Sequence, residues 1–82
     1  MRYSEKLTNE LNLLLHFNSD SNLEGIKVHH TAELHTIEAA QRLYAKGLVT
    51  QIDGGYLTVL GREAVDHARS LLMLLEEPLA YA

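Results

Sequence analysis

The stretch from Leu43 to Glu63 constrains the fold more than any other part of the chain. It reads Leu-Tyr-Ala-Lys-Gly-Leu-Val-Thr-Gln-Ile-Asp-Gly-Gly-Tyr-Leu-Thr-Val-Leu-Gly-Arg-Glu. Lys46 followed by Gly47 is a helix C-terminus: the cation suits the negative end of the helix, and glycine tolerates the positive φ of the position after the cap. Leu48 to Ile52 and Tyr56 to Thr58 are rich in β-branched, aromatic and apolar residues, with Asp53-Gly54-Gly55 between them as a hairpin turn. Thr58 is placed to cap a further helix that carries Glu63 near its start. The order is helix, small hairpin, helix.

The same rules organise the rest of the chain. Ser4 is placed to cap a first helix in which Leu7, Leu11, Leu14 and Leu15 form a stripe, with Leu13 and Phe17 to one side of it. Asn18-Ser19-Asp20 competes with the helix for hydrogen bonds and ends it. Ser21 and Glu24 have capping-box spacing, which predicts a short helix over about Asn22 to His29 with Leu23, Ile26 and His30 on one face. Ile26 and Val28 alternate with Lys27 and His29, however, so a strand over Ile26 to His30 is the competing reading. A helix over about 32–46 is expected to bury Leu34, Ile37, Ala40 and Tyr44, with Leu43 beside them. Its opposite face collects His35, Glu38, Ala39, Arg42 and Lys46. The last helix, about Val59 to Glu76, is stopped by Pro78. Its Leu60, Ala64, Ala68, Leu71, Leu72, Leu74 and Leu75 span an apolar arc of about 180°, with Val65 at the margin. The fold class is mainly α with a small β-hairpin, a winged helix-turn-helix with a long C-terminal helix.

Eighty-two residues suit one domain over 1–82, with too little chain for a buried catalytic cleft and its supporting shells. The chain has no cysteine, so no disulfide framework or thiolate metal site forms, as suits a reducing cytoplasm. The N-terminus lacks the apolar core of a signal peptide, and the run from Leu71 to Leu75 is far short of a membrane span. A soluble cytoplasmic protein is expected. The net charge is −4, but Lys27, Arg42, Lys46 and Arg62 outnumber Glu33, Glu38 and Asp53 between residues 26 and 62. That stretch, with His29, His30 and His35, is the one place where an anion-facing surface fits.

Lys46-Gly47-Leu48-Val49, Gly55-Tyr56-Leu57-Thr58 and Gly61-Arg62-Glu63 resemble the end of the recognition helix, the wing and the following helix of MarR- and PadR-like winged-helix regulators. Leu11-Asn12-Leu13-Leu14-Leu15 and Glu24-Gly25-Ile26-Lys27-Val28-His29-His30 are similar to a family of small uncharacterised proteobacterial proteins, presumed on fold grounds to bind DNA. The resemblance implies that the 32–46 helix lies in the major groove of duplex DNA while the 48–58 wing approaches the minor groove or the backbone. Arg42 and Lys46 are then the leading DNA contacts, with Lys27, His35 and Arg62 in support. The sequence departs from a strong DNA binder in its acidic wing tip, in the single carboxylate Glu38 among few cations, and in the short helix ahead of the recognition helix. The alternative is a winged-helix module for protein–protein assembly without DNA binding.

Other chemistries lack a constellation. The histidines His16, His29, His30, His35 and His67 are not matched by a second set of ligands at metal spacing, so no metal site is expected. Gln41 is suited to adenine, but it falls beside the buried stripe. Neither a phosphate-binding loop nor a nucleophile with its base is evident, so no enzyme, cofactor or small-molecule substrate is expected. The wide apolar arc of the last helix predicts a homodimer through Leu71, Leu72 and Leu75, helped by the first helix.

Overall fold

The structure is a computed structural model that describes residues 4–17 and 25–76. Its elements run in the order α1 (Glu5–Leu14), β1 (Ile26–Lys27), α2 (Leu34–Ala45), β2 (Val49–Gln51), β3 (Gly54–Leu57) and α3 (Val59–Glu76). The protein is mainly helical, with a small antiparallel sheet of order β1-β3-β2. Ile26 lies opposite Gly55 and Lys27 opposite Gly54, while Val49 faces Leu57 across the hairpin. Among the described residues, no helix is long and apolar enough to cross a membrane.

Local sequence explains most of the element boundaries. Ser4 Oγ accepts from the Leu7 backbone N–H at 3.1 Å, the N-cap that starts α1. At the end of α2, Gly47 N–H donates to the Tyr44 carbonyl and Leu48 N–H to the Leu43 carbonyl, both at 3.0 Å. This pair of bonds is a Schellman motif, and it requires Gly47 at φ +78°. Thr58 Oγ1 then accepts from Gly61 N–H at 3.0 Å while donating to the Gly47 carbonyl at 2.6 Å. One hydroxyl therefore caps α3 and ties it to the end of α2.

The buried residues of α1 are Glu10, Leu13 and Leu14, with Phe17 buried just past its end, and those of α2 are Ala39, Ala40 and Leu43. Val49 and Val65 complete the core, with Ile26, Val28, Leu48, Leu57 and Ala64 packed half-buried against it. Phe17, Leu43 and Val65 are the largest fully buried side chains, each worth about 1.5–3 kcal/mol by transfer. Arg69 Nη2 donates to the Phe17 carbonyl at 2.5 Å and reaches the Leu15 carbonyl at 3.4 Å. It thereby holds the electronegative end of α1 against α3.

Several expectations need correction. Residues 26–27 form strand β1 rather than the end of a helix over 22–29, because β-branched Ile26 pairs with the glycine backbone of β3. Asn18 to Glu24, with the capping-box pair, lie outside the described residues, as do Glu77 and Pro78. The helix expected over 32–46 starts later, at Leu34 after Glu33, whose side chain makes no cap bond. Ile52 and Asp53 form the hairpin turn, and Gly54 and Gly55 belong to β3.

The faces of the helices are also turned from those expected. Leu34 is 70% exposed and Tyr44 47% exposed, whereas Ala39, expected outward, is fully buried. A methyl side chain at Ala39 lets α1 approach closely, and this rotates Leu34 and Tyr44 away from the core. On α1, Leu7 is exposed and Leu11 half-buried, because Leu13 and Phe17 face the core instead. On α3, Val65 is central to the core rather than marginal, and Leu60 is exposed.

Gly61 is buried in the first turn of α3, where a Cβ would lie 1.9 Å from the Leu48 carbonyl oxygen. Backbone cannot yield as a side chain can, so Gly61→Ala should cost about 3 kcal/mol or more, or prevent folding. Gly47→Ala meets no atom within 4 Å, so its cost should be the left-handed backbone penalty of about 1 kcal/mol. Urea denaturation of the two variants checks the ordering. Equal losses would contradict the close approach at Gly61.

Candidate functional site

The strongest charge interaction in the described structure lies between α1 and α2. Glu10 is 5% exposed, in the middle of the apolar stripe of α1. Arg42 Nε donates to Glu10 Oε2 at 3.1 Å, and Lys46 Nζ donates to Glu10 Oε1. Arg42 Nη2 also reaches the Lys6 carbonyl at 3.4 Å, near the start of α1. Ala39, Arg42, Leu43 and Lys46 recur at i, i+3, i+4 and i+7 on α2, just as Glu10, Leu13, Leu14 and Phe17 do on α1. One carboxylate thus meets two cations across the helix pair, and the cluster keeps a net charge of +1. The aliphatic stems of Arg42 and Lys46 cover apolar surface while their charged ends meet Glu10.

Burial alone pushes the Glu10 carboxyl pKa up, but hydrogen bonds from Lys46 and Arg42, with their charges, outweigh it. The net result lies below the ordinary value of 4.5. The carboxylate therefore adds stability that is complete above the ordinary value and lost as pH falls through the depressed one.

The five cations and imidazoles expected to meet DNA do not form one face. Arg42 and Lys46 bind Glu10 of α1. Lys27 lies on edge strand β1, beside a hollow of about 300 Å³ shared with His30, Gln41 and Asp53. His35 is exposed, its Nδ1 3.1 Å from a Glu33 carboxylate oxygen. Arg62 is half-buried in the first turn of α3, where its N–H donates to the Thr58 carbonyl at 2.9 Å. The outward residues of α2 are Leu34, His35, Glu38, Gln41, Tyr44 and Ala45, apart from the half-exposed Lys46 that binds Glu10. Among the described residues no group of three His, Asp or Glu side chains could hold a metal ion.

The expected interface leucines are brought together. Leu71, Leu72 and Leu75 of α3 line a furrow of about 440 Å³ with Leu7, Leu11 and Leu14 of α1. Leu43 and Leu48 form its floor, with Glu10 and Lys46 at its polar edge. Leu72 is half-buried, Leu71 is 49% exposed and Leu75 is 71% exposed. Sequence reading missed Glu10, because counting leucines alone selects a stripe that omits it. The signal available was a carboxylate at helical spacing from Leu13, Leu14 and Phe17, matched by two cations at the same spacing around Leu43.

The chain belongs to a family of unknown function (DUF5669), whose model matches residues 1–76. No curated protein and no solved structure matches it.

In Glu10→Gln, the fall in stability between neutral pH and about pH 3 should be shallower than in the wild type. Urea denaturation as a function of pH measures it. Superimposable profiles would contradict a depressed carboxylate at this position.

Proposed function

We propose that the chain is a non-catalytic winged-helix module for protein–protein assembly, working through the apolar face formed by α1 and α3. The observation that carries this reading is the commitment of Arg42 and Lys46 to Glu10. Those two cations would have led any contact of α2 with phosphate. With both engaged, the outward face of α2 offers neutral and apolar groups, a carboxylate and one imidazole already paired with Glu33. A DNA interface normally recruits one cation for each phosphate it neutralises. The exposed leucines of α3, by contrast, form surface of the kind that marks interaction sites.

The winged-helix assignment rests on the order of elements. A helix, a strand, a helix, a hairpin and a closing helix follow one another, and β1 pairs with the second strand of the hairpin. Residues 28–33, between β1 and α2, hold no helix, so α2 lacks the preceding partner of a helix-turn-helix there.

DNA binding as a transcriptional regulator is the second reading, favoured by that same order of elements. It draws on Arg42 and the half-exposed Lys46, and freeing both for phosphate would leave a buried carboxylate unpaired at a cost of several kcal/mol. Fluorescence polarisation on labelled random duplex at low salt discriminates the two. The assembly reading predicts a Kd weaker than about 10⁻⁴ M, the weak limit of ordinary non-specific binding. Asp53→Lys, which removes the acidic wing tip, should leave it equally weak. Micromolar binding that Arg42→Ala weakens about tenfold or more would establish the DNA reading instead.

A further inference from the structure

The outer side of α3 carries a pattern of which the core takes only Ala64, half-buried against it. Leu60, Ala64, His67, Leu71 and Leu74 follow one another at spacings of four, three, four and three residues. That is the 3.5-residue repeat of a coiled-coil seam, and it runs about 21 Å along the helix. The core otherwise takes Gly61 and Val65 from α3. The seam is correspondingly open: Leu60 is 53% exposed, Leu71 49% and Leu74 71%, and His67 is exposed as well. A repeat of this period, left uncovered in the protomer, fits another helix of the same period.

We propose that the seam is occupied by α3 of a second copy of the chain, packed antiparallel with the two His67 side chains meeting at the centre. This rests on the assembly reading and names its partner. The register follows from the spacing. In an antiparallel pair centred on His67, Leu60 lies across from Leu74 of the partner, and the small Ala64 lies across from Ser70, one residue before Leu71. A parallel pair would set Ala64 on Ala64 and bring both Glu76 carboxylates and both helix dipoles side by side. The antiparallel pair separates the carboxylates and aligns the dipoles head to tail.

The neighbouring surface extends the contact. Leu71 belongs to both the seam and the furrow, so a helix on the seam also covers Leu75 and Leu7, which are 71% and 40% exposed. With these two, five leucines that are 40% to 71% exposed share the contact, and covering them in both protomers approaches the ~1,200 Å² at which specific interfaces begin. A small molecule in the furrow would leave Leu60 and Leu74 bare, whereas a helix of matching period covers them.

Sedimentation equilibrium on the full chain tests the proposal. The wild type should be a dimer at tens of micromolar. Leu74→Glu should raise the dissociation constant about 30-fold or more, with unchanged far-ultraviolet circular dichroism, since the side chain is outside the core. His67→Leu should tighten the dimer about tenfold, because a polar residue at a seam centre fixes register at a cost in stability. The chain has no cysteine, so introduced ones report orientation without background. Under mild oxidation, a mixture of Leu60→Cys and Leu74→Cys proteins should give the mixed disulfide, whereas each alone should not link. Disulfides within each single variant would overturn the antiparallel register. A monomeric wild type that His67→Leu leaves monomeric would overturn the proposal, while absence of DNA binding would leave the assembly reading standing with a different partner. A dimer that also binds duplex DNA tightly would keep the seam and defeat the assembly reading.

Discussion

The buried carboxylate of Glu10 is the constraint on which the arrangement of helices depends. An ion on the inward face of α1 is tolerated only where opposite charge and hydrogen bonds meet it, since removing a charge from water otherwise costs several kcal/mol. Arg42 and Lys46 supply both, from two successive turns of α2. Their spacing, with Ala39 and Leu43 between and beside them, fixes which face of α2 looks inward. Leu34 and Tyr44 then turn outward and the sheet closes the opposite side. Rotating α2 to free the cations would both orphan Glu10 and uncover Ala39 and Leu43. Charge and packing therefore select the same rotation.

A second set of interactions joins the ends of the elements. The Schellman turn at Gly47, the Thr58 hydroxyl and the backbone approach at Gly61 bring the end of α2, the base of the hairpin and the start of α3 together. Arg69 repeats the device at the other end of the molecule, by holding carbonyls at the end of α1. These contacts aim α3 so that Gly61 and Val65 reach the core while the line through Leu60, His67 and Leu74 faces away. The exposure of that line is in this sense a consequence of how α3 is anchored.

Much of this was legible in the sequence, and the failures share one cause. The caps at Ser4 and Thr58, the stop at Gly47, the hairpin and the span of α3 follow from local backbone chemistry, which neighbouring residues determine. Which face each helix buries is a tertiary matter. Apolar periodicity selected Leu34 and Tyr44 over Ala39, and Leu7 over Phe17, because it weighs leucine and tyrosine above alanine and treats every charge as outward. Glu10, Arg42 and Lys46 break that rule together. Arg42 and the half-exposed Lys46, which read as outward cations, both bind the buried carboxylate of Glu10. Residues 26–27 were ambiguous because two β-branched positions with a glycine beside them satisfy helix and strand patterns alike. Pairing with β3 decides between them. Leu71, Leu72 and Leu75 do share one furrow with α1, as their helical spacing implies.

Arg42 and Lys46 act on Glu10 as one unit. A mutant cycle in urea denaturation at neutral pH tests it most directly. Arg42→Met with Lys46→Met, leaving Glu10 buried and unpaired, should lose about 3–5 kcal/mol. Adding Glu10→Leu to that pair should recover most of the loss, because an apolar triplet of similar volume needs no neutralisation. A triple variant as unstable as the summed effects of its parts would contradict the account.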